Sequence, residues 1–498
     1  MRLVAGALAG IAFTVLATSP ASAATRPDGS DAWPTVATTH FVVHEGTGVT
    51  PDEGRQLADD FEAAYAVEVT QWGFSPPLAD GSLGGDSRTD VYVEPTKNAA
   101  DAGEAVHDDA DSPTTSGFAI IGPGSGGADH IAAHELFHLI QYATYAHGAS
   151  FLVEGTAEWA ASDVTRSTDW LYHYWATPDQ PLDCAPGSSC AASSYAYARW
   201  LFFEFLSERY GPGIVKEILQ RAGAIGAGTS AALDLQAIDD VLAGHGSSLS
   251  QAFADFTVAN ASGAYSFPGL AGSTSHLSGA GTYAGATSIA FAPSVRTLDH
   301  LSAGFITLYS GNPQSPAPNC GAATLHLAVT LPAGVASQAV FVDANGAHPL
   351  AASGDTASAA LPWTNCAGTK GTLTLANSSA TQDDARFVVR ASVDVAPALL
   401  PAGTRAPRIS LRVGRISRVA RRGRYLSIAV RASDRGVLAA LLKPGYVRKN
   451  FRLKHGTNRL RLRLPASLRA GRHQLVLTVY STTGKRGATI KRHLRIRL

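Results

Sequence analysis

In the run Ile131-Ala132-Ala133-His134-Glu135-Leu136-Phe137-His138, two histidines lie four residues apart and a glutamate directly follows the first. On a helix that spacing puts both imidazoles on one face, a turn apart, where they can reach one metal ion. The adjacent glutamate is then placed to take a proton from a water at that ion. With 16 histidines in 498 residues, a chance H-E-x-x-H is rare. The motif is therefore read as a site for one catalytic zinc ion, and not as two surface histidines flanking a salt-bridging acid.

Catalytic zinc sites keep three protein ligands and an open fourth position. A third histidine in the extended pattern H-E-x-x-H-x-x-G-x-x-H is missing here. Gln141 and Thr144 stand in the glycine and histidine places, and Met1, the only methionine, cannot supply a Met-turn. A glutamate is expected instead, and Phe151-Leu152-Val153-Glu154-Gly155-Thr156-Ala157-Glu158-Trp159 offers two.

His-Glu-Leu-Phe-His followed by Glu-Gly-Thr-Ala-Glu-Trp resembles the gluzincin metallopeptidases, and most closely a group of secreted bacterial members carrying H-E-L-F-H-x-x-Q and E-G-T-A-x-W. The resemblance covers residues 38–262. It implies zinc ligation by His134, His138 and Glu154, with Glu135 as general base. The gap from His138 to Glu154 is shorter than in better-known gluzincins, and strict spacing would choose Glu158. The E-G-x-A pattern favours Glu154, which leaves Glu158 to hydrogen-bond the free nitrogen of a ligand histidine. The resemblance also implies a tyrosine facing the metal from the following helix, so Tyr195 and Tyr197 are the candidate oxyanion donors. Either could equally belong to the aromatic stripe of Trp200, Phe202, Phe203 and Phe205. His130 and His147 are outside candidates, more readily read as loop histidines.

Elements of both periods surround the motif. His40–His44, Asp90–Val93 and Phe118–Ile121 read as strands. Thr50-Pro51-Asp52-Glu53 supplies an N-cap, a first-turn proline and an acid at the third position, so a helix should begin there. After Asp129 the pattern is mainly helical. From Ser288 to Val395, and again from Ile409, short β-branched runs alternate with turn residues. The expected architecture is an α+β gluzincin-like metallopeptidase domain followed by two β-sandwich, Ig-like modules.

Arg2, the apolar run Leu3–Ala17 and Ala21-Ser22-Ala23 have the order of a secretory signal cut after Ala23. A secreted, extracellular protein is expected, with cell-surface association open to it. The four cysteines suit that compartment and fall into two local pairs, Cys184 with Cys190 and Cys320 with Cys366. That is one of three pairings four cysteines allow. None lies in a C-x-x-C or Cys/His cluster, which argues against a thiolate metal site.

The formal net charge of zero hides a division. Residues 1–400 hold 14 Lys/Arg against 39 Asp/Glu, whereas 401–498 hold 26 against the single Asp434. Composition then gives a signal at 1–23, a lead-in at 24–37, the metallopeptidase domain at 38–262 and a linker at 263–287. A β-sandwich follows at 288–396, a second linker at 397–407 and a basic Ig-like domain at 408–498.

The functional expectation is a zinc metalloendopeptidase, a hydrolase acting on peptide bonds of extracellular proteins. The alternative is a cell-surface binding or adhesion protein that keeps a degenerate peptidase fold. A cell-wall cross-link is a third substrate class for the same machinery. The basic domain is expected to meet an anionic cell-wall or membrane-surface polymer, with no specific nucleic-acid partner. His107-Asp108-Asp109-Ala110-Asp111 could chelate Ca2+, although it lacks EF-hand spacing and reads more readily as a solvated acidic loop.

Overall fold

The computed structural model describes residues 24–96, 102–124, 128–184, 195–226, 228–270, 280–282, 289–290, 293–309, 322–364, 369–395, 408–419, 423–433, 435–443, 447–464, 471–481 and 486–496. The signal sequence expected at 1–23 lies outside them. The chain divides into two compact units, Met1–Ala259 with Gly263–His276, and Leu277–Leu498 with Asn260–Ser262.

The first unit holds one five-stranded sheet in the order β1-β2-β3-β5-β4. Its strands are β1 (Thr35–Ala37), β2 (Phe41–Glu45), β3 (Thr89–Val93), β4 (Gly103–His107) and β5 (Gly117–Ile121). Strands β2, β3 and β5 run parallel, while β1 and the edge strand β4 are antiparallel to their neighbours. Parallel neighbours need a crossover, and α1 (Pro51–Tyr65) supplies the one between β2 and β3. As the sequence predicts, Thr50 caps α1 by accepting from the Glu53 amide, and Pro51 opens the first turn. With its three central strands parallel and helices packed beside them, this region is α/β in build.

Helices complete the unit: α2 (Ala128–Tyr142), α3 (Ser150–Thr165), α4 (Leu171–Ala176), α5 (Trp200–Tyr210), α6 (Gly213–Ile225), α7 (Ala231–Gly244) and α8 (Leu249–Ser262). No helix among the described residues is long and apolar enough to cross a membrane.

Two segments expected as connections are structured. In the lead-in, β1 joins the sheet, and Arg26 is seated among acids, bonded to Asp108 and, at 2.7 Å, to Asp80. The Arg26 guanidinium also lies 4.2 Å from the centre of the Phe118 ring. In the segment read as a linker, Phe267 and Leu270 are buried and Phe267 meets the Trp200 ring. Apolar side chains inside a Gly/Ser-rich stretch decide these placements, and composition averages over them.

The second unit carries sheets dominated by antiparallel pairs, a sandwich-like arrangement. Its first eleven strands are β6 (Ala280–Thr282), β7 (Ile289–Ala290), β8 (Ser294–Leu298), β9 (Ser302–Tyr309), β10 (Ala322–Thr330), β11 (Ser337–Asp343), β12 (Gly346–Pro349), β13 (Ala351–Ser353), β14 (Thr356–Thr364), β15 (Lys370–Asn377) and β16 (Ala385–Val395). They form the orders β13-β14-β10-β16-β7, with β8 also on β16, and β12-β11-β15-β9-β6. Phe341, Trp363, Leu373 and Phe387 share one core. The strict alternation of burial along β10 is what a strand with one covered face requires.

A second core gathers Leu426, Ile428, Leu438, Leu462 and Leu477. It belongs to β17 (Ile409–Val419), β18 (Gly423–Ala432), β19 (Gly436–Lys443), β20 (Val447–Leu453), β21 (Gly456–Leu464), β22 (Gly471–Ser481) and β23 (Arg486–Ile496), ordered β17-β18-β21 and β20-β19-β22-β23.

Candidate metal centre

His134 and His138 lie on one face of α2, and Glu154 reaches them from α3. The two Nε2 atoms are 3.0 Å apart, and Glu154 Oε2 lies 3.4 Å from the first and 3.5 Å from the second. A circle through these three atoms has a radius of about 1.9 Å, so a point at the usual zinc–nitrogen and zinc–oxygen distance of about 2.0–2.1 Å from all three exists just off their plane. Among the described residues this is the group of histidine and acidic side chains spaced to hold a metal ion.

Hydrogen bonds orient both rings. His138 Nδ1 lies 2.8 Å from Gln141 Oε1. The Gln141 amide nitrogen donates to the Val153 carbonyl and to Thr156 Oγ1, both at 2.8 Å, and the Thr156 hydroxyl donates to the Leu152 carbonyl. With every other hydrogen committed, Gln141 presents only an acceptor to His138, so Nδ1 carries the proton and Nε2 a lone pair. His134 Nδ1 faces Glu158 Oε2 at 3.4 Å, which likewise leaves a lone pair on its Nε2. Two lone pairs 3.0 Å apart repel, and Glu154 Oε2, buried with no hydrogen-bond donor, adds a third. Such a donor set calls for a cation at its centre.

The electrostatics agree. Burial opposes charge on His134, but the carboxylates of Glu154 and Glu158 outweigh it and hold the imidazole well above its usual range. Burial would raise Glu154, yet the two imidazoles pull it below the usual carboxylate range. Glu158 is lowered too, its burial overcome by hydrogen bonds from His130 and His134. The cavity holds positive charge, from a proton or from a metal that displaces it.

Glu135, one residue past the first ligand, is 5% exposed. Burial pushes its carboxyl up, against the attraction of His134 and His138. The Ala105 amide of β4 bonds it, and a Cβ on Gly103 would lie 2.6 Å from its Oε1. A glycine at 103 is therefore what lets the edge strand approach this carboxylate.

The structure separates the two tyrosines. The Tyr195 hydroxyl donates to the Thr177 and Gln180 carbonyls, and the Arg199 guanidinium covers its ring at 3.5 Å, so Tyr195 is a packing residue and not an oxyanion donor. Tyr197 lies against the site, its ring centroid 5.6 Å from that of His134 and 5.0 Å from that of Trp170. Trp170 holds φ at 62°, strained for a large side chain.

Other candidates also find places. His130 bonds Glu158 and Thr165, both at 3.0 Å, and so supports the acid behind His134. His147 bonds the Ser112 carbonyl, away from the ligands. In the acidic loop 107–111, Asp108 bonds Arg26 and Ser116, and His107 stacks on Tyr142. Cys184 is buried, while Cys190, Cys320 and Cys366 lie outside the described residues.

Two residues carry roles that sequence reasoning missed. In the sequence Gln141 marks the absence of a glycine and closes the H-E-L-F-H-x-x-Q pattern with no role attached to it, although its place three residues beyond His138 suits a helix-face partner. Glu68 lies in a π-turn spanning Ala66–Gln71, fully buried with both oxygens unpartnered and pushed well up by burial, with His134 pulling the other way. A single glutamate with no motif around it gives no signal in sequence.

No protein-family model matches the sequence, and no curated protein matches it. Among solved structures, the chain aligns at 12% identity with the glycoside hydrolase domain of Spr0440, Endo-D, from Streptococcus pneumoniae R6, over 42% of this chain and 37% of that one, with a TM-score of 0.18. A β-glucuronidase from Ruminococcus gnavus in complex with D-glucuronic acid aligns at 8% identity over 41% of this chain and 46% of its own, with a TM-score of 0.13. The chain thus spans less than half the length of either, and similarity at this level carries no functional argument.

Proposed function

We propose that this protein is a secreted zinc-dependent metallopeptidase of gluzincin type, hydrolysing peptide bonds of extracellular proteins. The observation that carries the reading is the convergence of His134 Nε2, His138 Nε2 and Glu154 Oε2 within 3.5 Å of one another, with both outer ring nitrogens held by Gln141 and Glu158. These three side chains would hold the ion. Zinc, when bound, supplies a Lewis acid that lowers the pKa of water to about 7 and polarises a carbonyl.

The chain's own groups would do the rest. Glu135 accepts a proton from the attacking water and returns it to the leaving amine, a task helped by a carboxyl that burial raises above its usual range. Tyr197, beside His134, is positioned to donate to the oxyanion that forms at the scissile carbonyl. Gln141 and Glu158 fix the ligand tautomers before substrate arrives. Disulfides Cys184–Cys190 and Cys320–Cys366 belong to the same exported reading.

The test is hydrolysis of casein by the full chain loaded with zinc. Glu135→Gln should abolish hydrolysis while the metal content stays at that of the parent protein. Persistent hydrolysis in that variant would remove Glu135 as the base. A zinc-loaded parent protein that cleaves nothing would favour the binding protein with a degenerate fold.

A further inference from the structure

The C-terminal β region carries its charge in a regular pattern along one strand. Residues 401–498 contain 21 arginines and five lysines against Asp434. Along β21 the sequence reads Arg459-Leu460-Arg461-Leu462-Arg463-Leu464, and the strand sends Leu462 and Leu464 into the core while all three arginines are exposed. Strand alternation thus sorts one side chain type inward and the other outward.

The neighbours of these arginines are small or polar. Register pairs Arg459 with Ala429, Arg461 with Ser427 and Arg463 with Tyr425, and continues the face to Thr457 and the exposed Arg431. Among the described strands β21 stands at the end of its sheet, with the three arginines exposed along it. Alternate residues on a strand repeat at about 6.7 Å, comparable with the distance between successive phosphates of an extended phosphodiester chain. The preference for arginine over lysine fits forked, bidentate recognition of phosphate oxygens. The Ser427 and Thr457 hydroxyls can add donors, while among the described residues of β18 and β21 Tyr425 is the only aromatic ring, so these strands offer charge for a backbone and no ladder on which bases could stack.

We propose that the outward face of the β18–β21 pair is a binding site for a linear phosphodiester polymer, laid along β21 with successive phosphates on Arg463, Arg461 and Arg459. The site is independent of the metal centre. Binding would hold the protein on a phosphate-bearing surface.

The experiment measures binding of the full chain to poly(glycerol phosphate), to a single-stranded oligothymidylate and to polyglutamate across a salt series. The triple variant Arg459→Ser, Arg461→Ser, Arg463→Ser leaves the inward leucines untouched. Its control, Arg452→Ser, Lys491→Ser, Arg495→Ser, removes the same charge from exposed positions on the other sheet. The expected result is tight binding to both phosphate polymers, weakened about tenfold or more by the β21 triple, with the slope of log K against log salt reduced by about two. The control should change affinity less than about twofold at fixed salt. The ratio of the two phosphate polymers identifies the source of the phosphates. Equal losses in both triples, or polyglutamate binding as tightly as the phosphate polymers, would overturn the proposal. So would binding to anionic phospholipid vesicles with no binding to the soluble chains.

Discussion

The metal centre and the C-terminal β region dispose of charge in opposite ways. Around His134 the polar groups are buried or half-buried and most are held by one another: Glu158 with His134 and His130, Gln141 with His138, Glu154 between the two imidazoles. In the β region the arginines of β21 are exposed, and the sequence supplies one acid for 26 basic residues. Burial makes an unpaired charge costly, so a buried constellation must be complete within the fold or completed by an ion. Solvent removes that demand from the exposed arginines, whose use lies with whatever they meet outside the chain. In the functions proposed above, the buried set serves chemistry and the exposed set attachment.

The contrast breaks most sharply at the ligands. Glu154→Ala should abolish zinc binding and reduce casein hydrolysis to background, by a factor on the order of 10⁴. Loss of zinc on replacing Glu158, with zinc kept in Glu154→Ala and the fold retained in both, would reverse the assignment of the two acids.

The tyrosines give the next largest effect. Tyr197→Phe should lower kcat by about 10²–10³ with stability unchanged. Tyr195→Phe should leave kcat alone and cost about 1 kcal/mol in unfolding measurements, because the half-buried Thr177 and Gln180 carbonyls lose the hydroxyl that donates to them.

Gln141→Ala should weaken zinc affinity by about 10–100-fold, read by competition with a chelator, because His138 loses the acceptor that fixes its tautomer. Unchanged affinity would mean that the ring is held by packing alone.

Glu204 sharpens the comparison from within the acidic unit. Burial, with Asp163 and Glu208 near, pushes its carboxyl up to about 8, while Trp159 Nε1 donates to it. A carboxyl raised in the folded state binds its proton more tightly there than when unfolded. Its stabilising contribution is full below the unfolded value near 4.5 and is lost as pH rises toward 8. Glu204→Gln, which keeps an acceptor for Trp159, should flatten the fall in melting temperature between pH 5 and pH 8, a difference on the order of a few kcal/mol. Parallel pH profiles for the two proteins would remove Glu204 as the cause.

Much of this was legible in sequence because local rules suffice. The spacing of His134 and His138 needs only a helix, the cap at Thr50 needs four consecutive residues, and the alternation of β21 needs only the period of a strand. The Glu-Gly-Thr-Ala pattern points to Glu154 over Glu158, and it is Glu154 Oε2 that lies within 3.5 Å of both imidazoles; a Cβ on the neighbouring Gly155 would lie 2.9 Å from the Phe203 ring, so that glycine lets α3 approach α5 closely. What stayed illegible depends on contacts between distant segments. The role of Gln141 requires α3 to be in place, the choice of Tyr197 over Tyr195 depends on the carbonyls at 177 and 180, and the edge strand β4 has too little apolar pattern to announce itself. Arg26 looked like part of a polar lead-in because its partners Asp80 and Asp108 lie far along the chain.

The most direct measurement is X-ray absorption at the zinc edge on the full chain purified without added metal. The account predicts one ion per chain, with two imidazoles and only oxygen otherwise in its shell at about 2.0–2.1 Å. A chain that takes up no zinc, or a shell containing sulfur or lacking imidazole scattering, would contradict it.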